Sequence, residues 1–352
     1  MQGGEPFFTI LIPTKGRVHH ARFALESLRT QTFEDFEVIL LDSDPSSDTA
    51  RAYFGGWQGW LDARFRYVRT GDVWMSENIE SGLAHARGRY LHVCQDKAVM
   101  AQDALALVHD RLAGGDCRSL VFELVSHLWD AGNHSFTHDR PGLQELQLQP
   151  HFGYGTGIQQ VDCERLASAQ VLEEFLVHGW ETICFRAPRA FNCFTELQCI
   201  RDIHAQGVPF FDVTSPDLCS ALRLLDHLPD FHITKAPLAS HFHSTTVSFG
   251  TTWRYRFDYA VDAFSRLPPG VLAHLHAMPL GLTPLFHNGI FGDYVKLRGN
   301  AQGLLRGSRL RSDNYFAKVL HDVDNLHEPD ERRNMLRDIV QRRRAEFAPE
   351  YI

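Results

Sequence analysis

The sequence predicts an α/β protein: a mostly parallel, twisted sheet flanked by helices, followed by a helical C-terminal extension. Two runs of strand length, FFTILI at 7–12 and FEVILLDSD at 36–44, are rich in β-branched residues and Leu before they end, as parallel strands covered on both faces must be. Between them lies a stretch with apolar residues at helical spacing, Phe23, Leu25 and Leu28. The strand, helix, strand order then repeats, which is the pattern of stacked βαβ units.

The first strand runs into the turn-like PTKGR at 13–17, and HHARFALESLRTQT at 19–32 reads as the first helix. After the second strand, DTARAYFGGW at 48–57 reads as a short helix and FRYVRT at 65–70 as a third strand. MSENIESGLAHARG at 75–88 is the next helix and RYLHVCQD at 89–96 the fourth strand, which completes a doubly wound half over 1–112. Residues 113–250 are expected to complete the domain, with a strand at SLVFELVSHLW (119–129) and a helical reading for APRAFNCFTELQCIRDIHAQG (187–207). Residues 251–352 form the helical extension, whose charged amphipathic end, DERRNMLRDIVQRRRAEF at 330–347, is suited to packing on the domain or on a second copy of the chain.

Composition bounds the function. With 44% hydrophobic residues over 352 positions the chain has material for a large core, and a formal net charge of -8 argues against a protein that binds nucleic acid through a broad basic face. Seven cysteines without a C-x-x-C pair favour neither a disulfide framework nor a zinc finger, so reduced thiols and a cytoplasmic location are expected. The N-terminal apolar run has no basic flank and breaks at Pro13, so it reads as a first strand and not a leader. The nearest approach to a membrane span, GVLAHLHAMPLGLTPLF at 270–286, is interrupted by His, Pro and Gly, and no transmembrane segment is expected.

In an open parallel sheet ligands bind beyond the carboxyl ends of the strands, which here are marked by Thr14, Asp42, Asp44, Thr70, Gln95 and Asp96. No G-x-G-x-x-G follows the first strand and no G-x-x-x-x-G-K-[ST] occurs, which speaks against a dinucleotide enzyme or a P-loop ATPase; GYGTG at 153–157 lacks the strand before it and the helix after it. Instead the first turn is IPTKGR, and the second strand ends in two carboxylates two residues apart.

The stretch FTILIPTKGRVHHARFALESLRTQTFEDFEVILLDSD resembles the nucleotide-sugar glycosyltransferases of family 2, whose pattern reads I-I-P-T-x-x-R, a helix, S-[LIV]-x-x-Q-T, then F-E-[VI]-[IV]-V-x-D. MSENIESGLAHARGRYLHV resembles that family's N-x-x-x-G-[LI]-x-x-A-x-G-x-Y segment, and SPDLCSALRLL at 215–225 its later acidic motif. The resemblance is close through the first half-domain and thinner after it. It implies a GT-A-like, Rossmann-related fold and transfer of a sugar, with inversion, from a nucleotide-diphosphate donor to an acceptor hydroxyl. The base, the sugar and the acceptor, whether small molecule, glycan or lipid-linked, are left open.

On the residues, the resemblance implies a donor held by Pro13, Thr14 and Arg17, with Asp42 or Asp44 reading base or ribose and Ser76 and Asn78 near the same cleft. The chemistry agrees, since a carboxylate accepts bidentate hydrogen bonds and a guanidinium pairs with phosphate. Asp42 and Asp44 equally suit the turn that begins a helix, and Arg17 a surface ion pair. Family members end the fourth strand in D-x-D, whose carboxylates hold a divalent cation, Mg or Mn, on the donor diphosphate. This chain has Gln95-Asp96-Lys97-Ala98, so either register leaves the single acid Asp96. Two expectations follow: Asp96 retains a cation, or the Lys97 ammonium supplies the charge at the departing diphosphate.

Asp217 stands where the resemblance implies the general base, although Ser215-Pro216-Asp217 is also a favourable helix start. His241 and His243 share one face if extended, and His243 is the candidate for a metal ligand. Two rival readings are a non-catalytic nucleotide-sugar-binding scaffold that has lost its D-x-D, and a different nucleotide-dependent transferase on the same sheet.

Overall fold

The computed structural model describes residues 4–130, 135–138, 155–244, 253–267 and 270–352. Four strands and three helices alternate over the first part of the chain: β1 (Phe8–Thr14), α1 (Val18–Arg29), β2 (Phe36–Asp42), α2 (Asp48–Gly55), β3 (Phe65–Arg69), α3 (Met75–Leu83) and β4 (Tyr90–Val93). All four strands pair in parallel, in the order β3-β2-β1-β4, with β1 in register against both β2 and β4. Residues Ile10, Leu11, Ile12 and Val38–Leu41 are fully buried, which is why the middle of each strand reads as an apolar run. Strand order reverses direction at β1, so the carboxyl ends of β1 and β4 form a topological switch point.

The sheet continues beyond β4 as β9 (Cys193–Glu196), β6 (Ser119–Asp130), β10 (Asp230–Ser244) and β5 (Ala98–Met100), with β7 (Ser135–His138) paired to β6 and β8 (Glu164–Ala167) to β10. Here the pairings of β4 with β9, β9 with β6 and β10 with β5 are antiparallel. Helix α4 (Ala104–Leu112) follows β5. The helical reading of 187–207 is corrected: only Leu197–His204 is α-helical, while Cys193–Glu196 is a strand inserted between β4 and β6. Phe194 is fully buried and stacks on His92 with ring centroids 4.6 Å apart, so the tertiary partner on β4 decides the strand where local spacing suggested a helix.

Two sequence motifs turn out to be packing motifs. A Cβ on Gly88 would come within 2.4 Å of the Thr9 backbone nitrogen, and one on Gly82 within 2.4 Å of Leu41 Cδ1, so α3 and the entry to β4 approach β1 and β2 only because both positions lack side chains. Beneath them the buried Glu37 accepts from Thr9 Oγ1, the Arg87 backbone and the Arg66 and Arg87 guanidiniums, at 2.7–3.0 Å. Burial alone would raise its pKa, but the hydrogen bonds from Arg87 and Thr9 hold it below the usual carboxylate range.

Two compact units divide the chain. The first comprises residues 1–166, 188–211 and 230–243 and contains the sheet. The second comprises 167–187, 212–229 and 244–352, so the C-terminal helices share a unit with two earlier segments. Its helices are α5 (Ser168–His178), α6 (Trp180–Ile183), α8 (Pro216–His227), α9 (Phe257–Ser265), α10 (Phe286–Gly299), α11 (Leu304–Gly307), α12 (Ser312–Asn325) and α13 (Asp330–Glu346), while α7 (Leu197–His204) belongs to the first unit. No helix among the described residues is long and apolar enough to cross a membrane. All seven cysteines are free thiols.

Candidate active site

At the switch point the loop after β1 and the loop after β4 are tied together by one carboxylate. Thr14 ends β1, Gly16 adopts a left-handed φ of 65°, and Arg17 enters α1. Asp96 is 0% exposed, and its Oδ2 accepts from Thr14 Oγ1 at 2.9 Å and from Arg17 Nε at 2.8 Å. The pair is stronger than a surface salt bridge because the acid is fully buried and the arginine largely so. Asp96 Oδ1 and the neighbouring Gln95 Oε1 are buried oxygens that accept no hydrogen bond among the described residues. Cys94 beside them is pushed up to about 12 by burial, reinforced by the charge of Asp96, which makes it a neutral structural thiol.

Lys97 is half-buried in the same turn. The chain then enters β5, where Ala98 lies opposite His241 of β10. The β10 strand therefore brings His241 alongside the loop that carries Asp96. The His243 side chain lies outside the described residues, as do Thr245 and Thr246.

A second cluster lies at the carboxyl ends of β2 and β3, in register beside Thr14. Asp42 is also 0% exposed; its Oδ1 accepts the Asp44 backbone N–H at 2.9 Å and its Oδ2 the Tyr67 hydroxyl at 2.6 Å. Asp44 accepts both the backbone N–H and the hydroxyl of Ser46, at 2.9 and 2.8 Å. Burial would raise Asp44, but those two bonds to Ser46 hold its carboxyl below the usual range. Asn78 of α3 donates to Leu41 O and Ser43 Oγ, at 3.3 and 3.4 Å, and accepts from Thr70 Oγ1 at 2.7 Å, locking the helix to the ends of β2 and β3. Ser76 is buried in the first turn of the same helix.

The structure thus brings Pro13, Thr14, Arg17, Asp96 and Lys97 to one side of the strand edge and Asp42, Asp44, Ser76 and Asn78 to the other. Sequence reasoning missed Tyr67, Ser43 and Ser46. Tyr67 had a usable signal: in FRYVR it lies two residues before the end of β3, on the strand next to Asp42.

Asp217 belongs to the second unit. It sits half-buried in the first turn of α8, where the Ser215 side chain accepts from Leu218 N at 3.4 Å and Pro216 takes the first helical position. The buried Asp293 of α10 accepts from the backbone N–H groups of Thr214 and Ser215, at 3.5 and 3.1 Å, and bonds His274 Nε2 at 2.8 Å.

Two groupings bear on metal binding. Glu181, His287 and Asp322 in the second unit are close enough to be considered, but His287 Nε2 faces Glu181 at 2.8 Å and Nδ1 faces Asp322 at 2.7 Å, on opposite edges of the ring. The arrangement is that of an imidazolium between two carboxylates, with Arg254 also paired to Glu181. The Asp96 loop suits a hard cation better: one carboxylate oxygen and one amide oxygen lack hydrogen-bond partners, and Mg or Mn accepts one or two protein oxygens when phosphates and water supply the rest.

Residues 9–163 match the family described as glycosyl transferase family 2. Among solved structures, TarS residues 1–349 from S. aureus in complex with UDP-GlcNAc is 11% identical, over 97% of this chain and 73% of that one, with a TM-score of 0.47. The mannosyltransferase PcManGT from Pyrobaculum calidifontis, in complex with GDP-Man and Mn2+, is 13% identical over 97% of this chain and 87% of that one, with a TM-score of 0.45. No curated protein matches.

Proposed function

We propose, from the match of residues 9–163 to glycosyl transferase family 2, that the protein moves a sugar, with inversion, from a nucleotide-diphosphate donor to an acceptor hydroxyl. The observation that carries the proposal is the knot of Thr14, Arg17 and Asp96 at the switch point, where an open α/β sheet meets its ligand.

Each residue then has a defined task. Asp96 holds Arg17 by a single donor, Nε, and the remaining guanidinium N–H groups make no hydrogen bond among the described residues, so they serve the diphosphate. The Lys97 ammonium adds positive charge where the leaving diphosphate gains negative charge. Asp96 Oδ1 and Gln95 Oε1 would hold Mg or Mn, and the cation, when bound, neutralises part of the same charge. At the β2 end, Asp42 spends both oxygens on Tyr67 and Asp44, so its part is to shape the base and ribose side, with Asp44, Ser76 and Asn78 lining it. Asp217 takes the proton of the acceptor hydroxyl as the diphosphate departs from the opposite face of the sugar.

The test is a thermal-shift screen of nucleoside diphosphates and their sugars, with Mg, with Mn and with EDTA. A ligand that binds only the folded protein raises the melting temperature by mass action. At least one diphosphate is expected to stabilise, more strongly with the cation and still measurably in EDTA. No shift with any nucleotide would remove the basis of the proposal.

A further inference from the structure

We infer that Asp293 and Lys296 of α10 are positioning residues for Asp217, acting as a two-sided clamp on the segment that leads into α8. The inference rests on the reading of Asp217 as the general base. The two residues are one helical turn apart and so lie on the same face of α10. Asp293 binds the segment by its donors, the N–H groups of Thr214 and Ser215. Lys296 binds it by its acceptors: its ammonium donates to the Asp212 carbonyl and lies 3.5 Å from an Asp212 carboxylate oxygen. Arg223, buried on α8, is 3.7 Å from the other oxygen of Asp212.

A segment held through both its N–H and C=O groups is fixed in rotation as well as in position. The hold reaches Asp217 because only Pro216 intervenes, and the proline ring fixes one backbone dihedral of that link. On the far side, the Ser220 hydroxyl donates to the carbonyls of Pro216 and Asp217, at 2.8 and 3.1 Å, which secures the first turn from below. Asp293 is itself oriented by His274 and is 0% exposed. A buried carboxylate that spends its charge on two backbone N–H groups of one segment is a costly way to hold it. It is warranted where a side chain two residues on must be aimed within a fraction of an ångström.

The experiment uses the full chain and measures release of nucleoside diphosphate from the uridine, guanosine or deoxythymidine diphosphate sugar that the thermal-shift screen selects, with water as acceptor. Four variants are compared: Asp293→Asn, Lys296→Met, Asp217→Asn and the double Asp217→Asn/Asp293→Asn. Asp293→Asn and Lys296→Met are each expected to lower kcat about 10- to 100-fold while leaving the donor KM within about twofold. The double variant is expected to be no slower than Asp217→Asn alone, since a residue that acts through Asp217 has nothing left to lose. Lys296→Arg, which keeps a donor, should recover most of the rate. Should Asp293→Asn fail to fold, Lys296→Met and its arginine counterpart carry the same test.

Unchanged kcat in both clamp variants, with Asp217→Asn inactive, would overturn the clamp and leave the general base standing. A double variant slower than Asp217→Asn by the full Asp293→Asn factor would overturn it as well. Full turnover by Asp217→Asn would instead remove the general-base reading on which the clamp depends.

Discussion

Asp96 accepts Thr14 and Arg17 on one oxygen and keeps the other, Oδ1, without a hydrogen bond among the described residues, so in the proposed reaction a single side chain fixes the Arg17 guanidinium and would also hold the metal. This division has separable consequences. Arg17→Ala should weaken nucleoside-diphosphate binding about 10- to 100-fold, the worth of a charge-assisted hydrogen bond, and isothermal titration checks it. Asp96→Asn retains an oxygen for Thr14 but loses the charge, so it should bind less weakly than Arg17→Ala and lose whatever stimulation Mg or Mn gives. If EDTA abolishes turnover and Lys97→Ala leaves it untouched, the ammonium has no part in charge stabilisation.

At the scale of elements, the parallel half is held by close backbone contact as much as by side chains. Gly88→Ala places a methyl against the Thr9 nitrogen and the Phe8 carbonyl carbon, both backbone atoms that cannot swing aside. The expected loss is roughly 3 kcal/mol, at the upper end of overpacking, read by urea denaturation. Gly82→Ala meets the end of a leucine side chain and should cost less. The repeat of the βαβ pattern was legible because period and burial agree along β1, α1 and β2. The strand at Cys193–Glu196 was not, because its four residues are decided by the partners they find on β4 and β6.

Stability of the whole molecule should depend on pH through the Glu181, His287 and Asp322 network. Burial by itself would lower His287, but the Asp322 and Glu181 carboxylates outweigh it and raise it from 6.5 to about 9. Burial would raise Glu181, but the hydrogen bond and charge of His287, with Arg254, lower it from 4.5 to about 2. The raised group contributes fully below its unfolded value of 6.5 and is lost as pH climbs through about 9; the lowered group contributes fully above 4.5 and is lost as pH falls toward about 2. Both therefore act together between 4.5 and 6.5, and the contribution of this network to the melting temperature should decline on either side. His287→Ala leaves two acids facing a buried gap, and should cost about 3–5 kcal/mol near pH 6. It should also flatten the alkaline decline; a melting profile above pH 7 parallel to that of the parent would exclude His287 as its cause.

The sequence by itself determined the order of β1 to β4 and α1 to α3, because buried parallel strands and amphipathic helices write their period into the chain. It also marked the strand ends, since apolar runs must stop where the sheet meets solvent or ligand: Thr14 and Asp42 close β1 and β2, and Asp96 lies in the turn just after β4. The helix start at Ser215-Pro216 was readable for the same local reason. Only the tertiary structure decided what those acids do: that Asp96 spends an oxygen on Arg17, that Asp42 is closed off by Tyr67, and that Asp293, far along the chain, holds the approach to Asp217. Hydrogen-bond partners distant in sequence leave no period behind, because each is a single contact and not a repeated one.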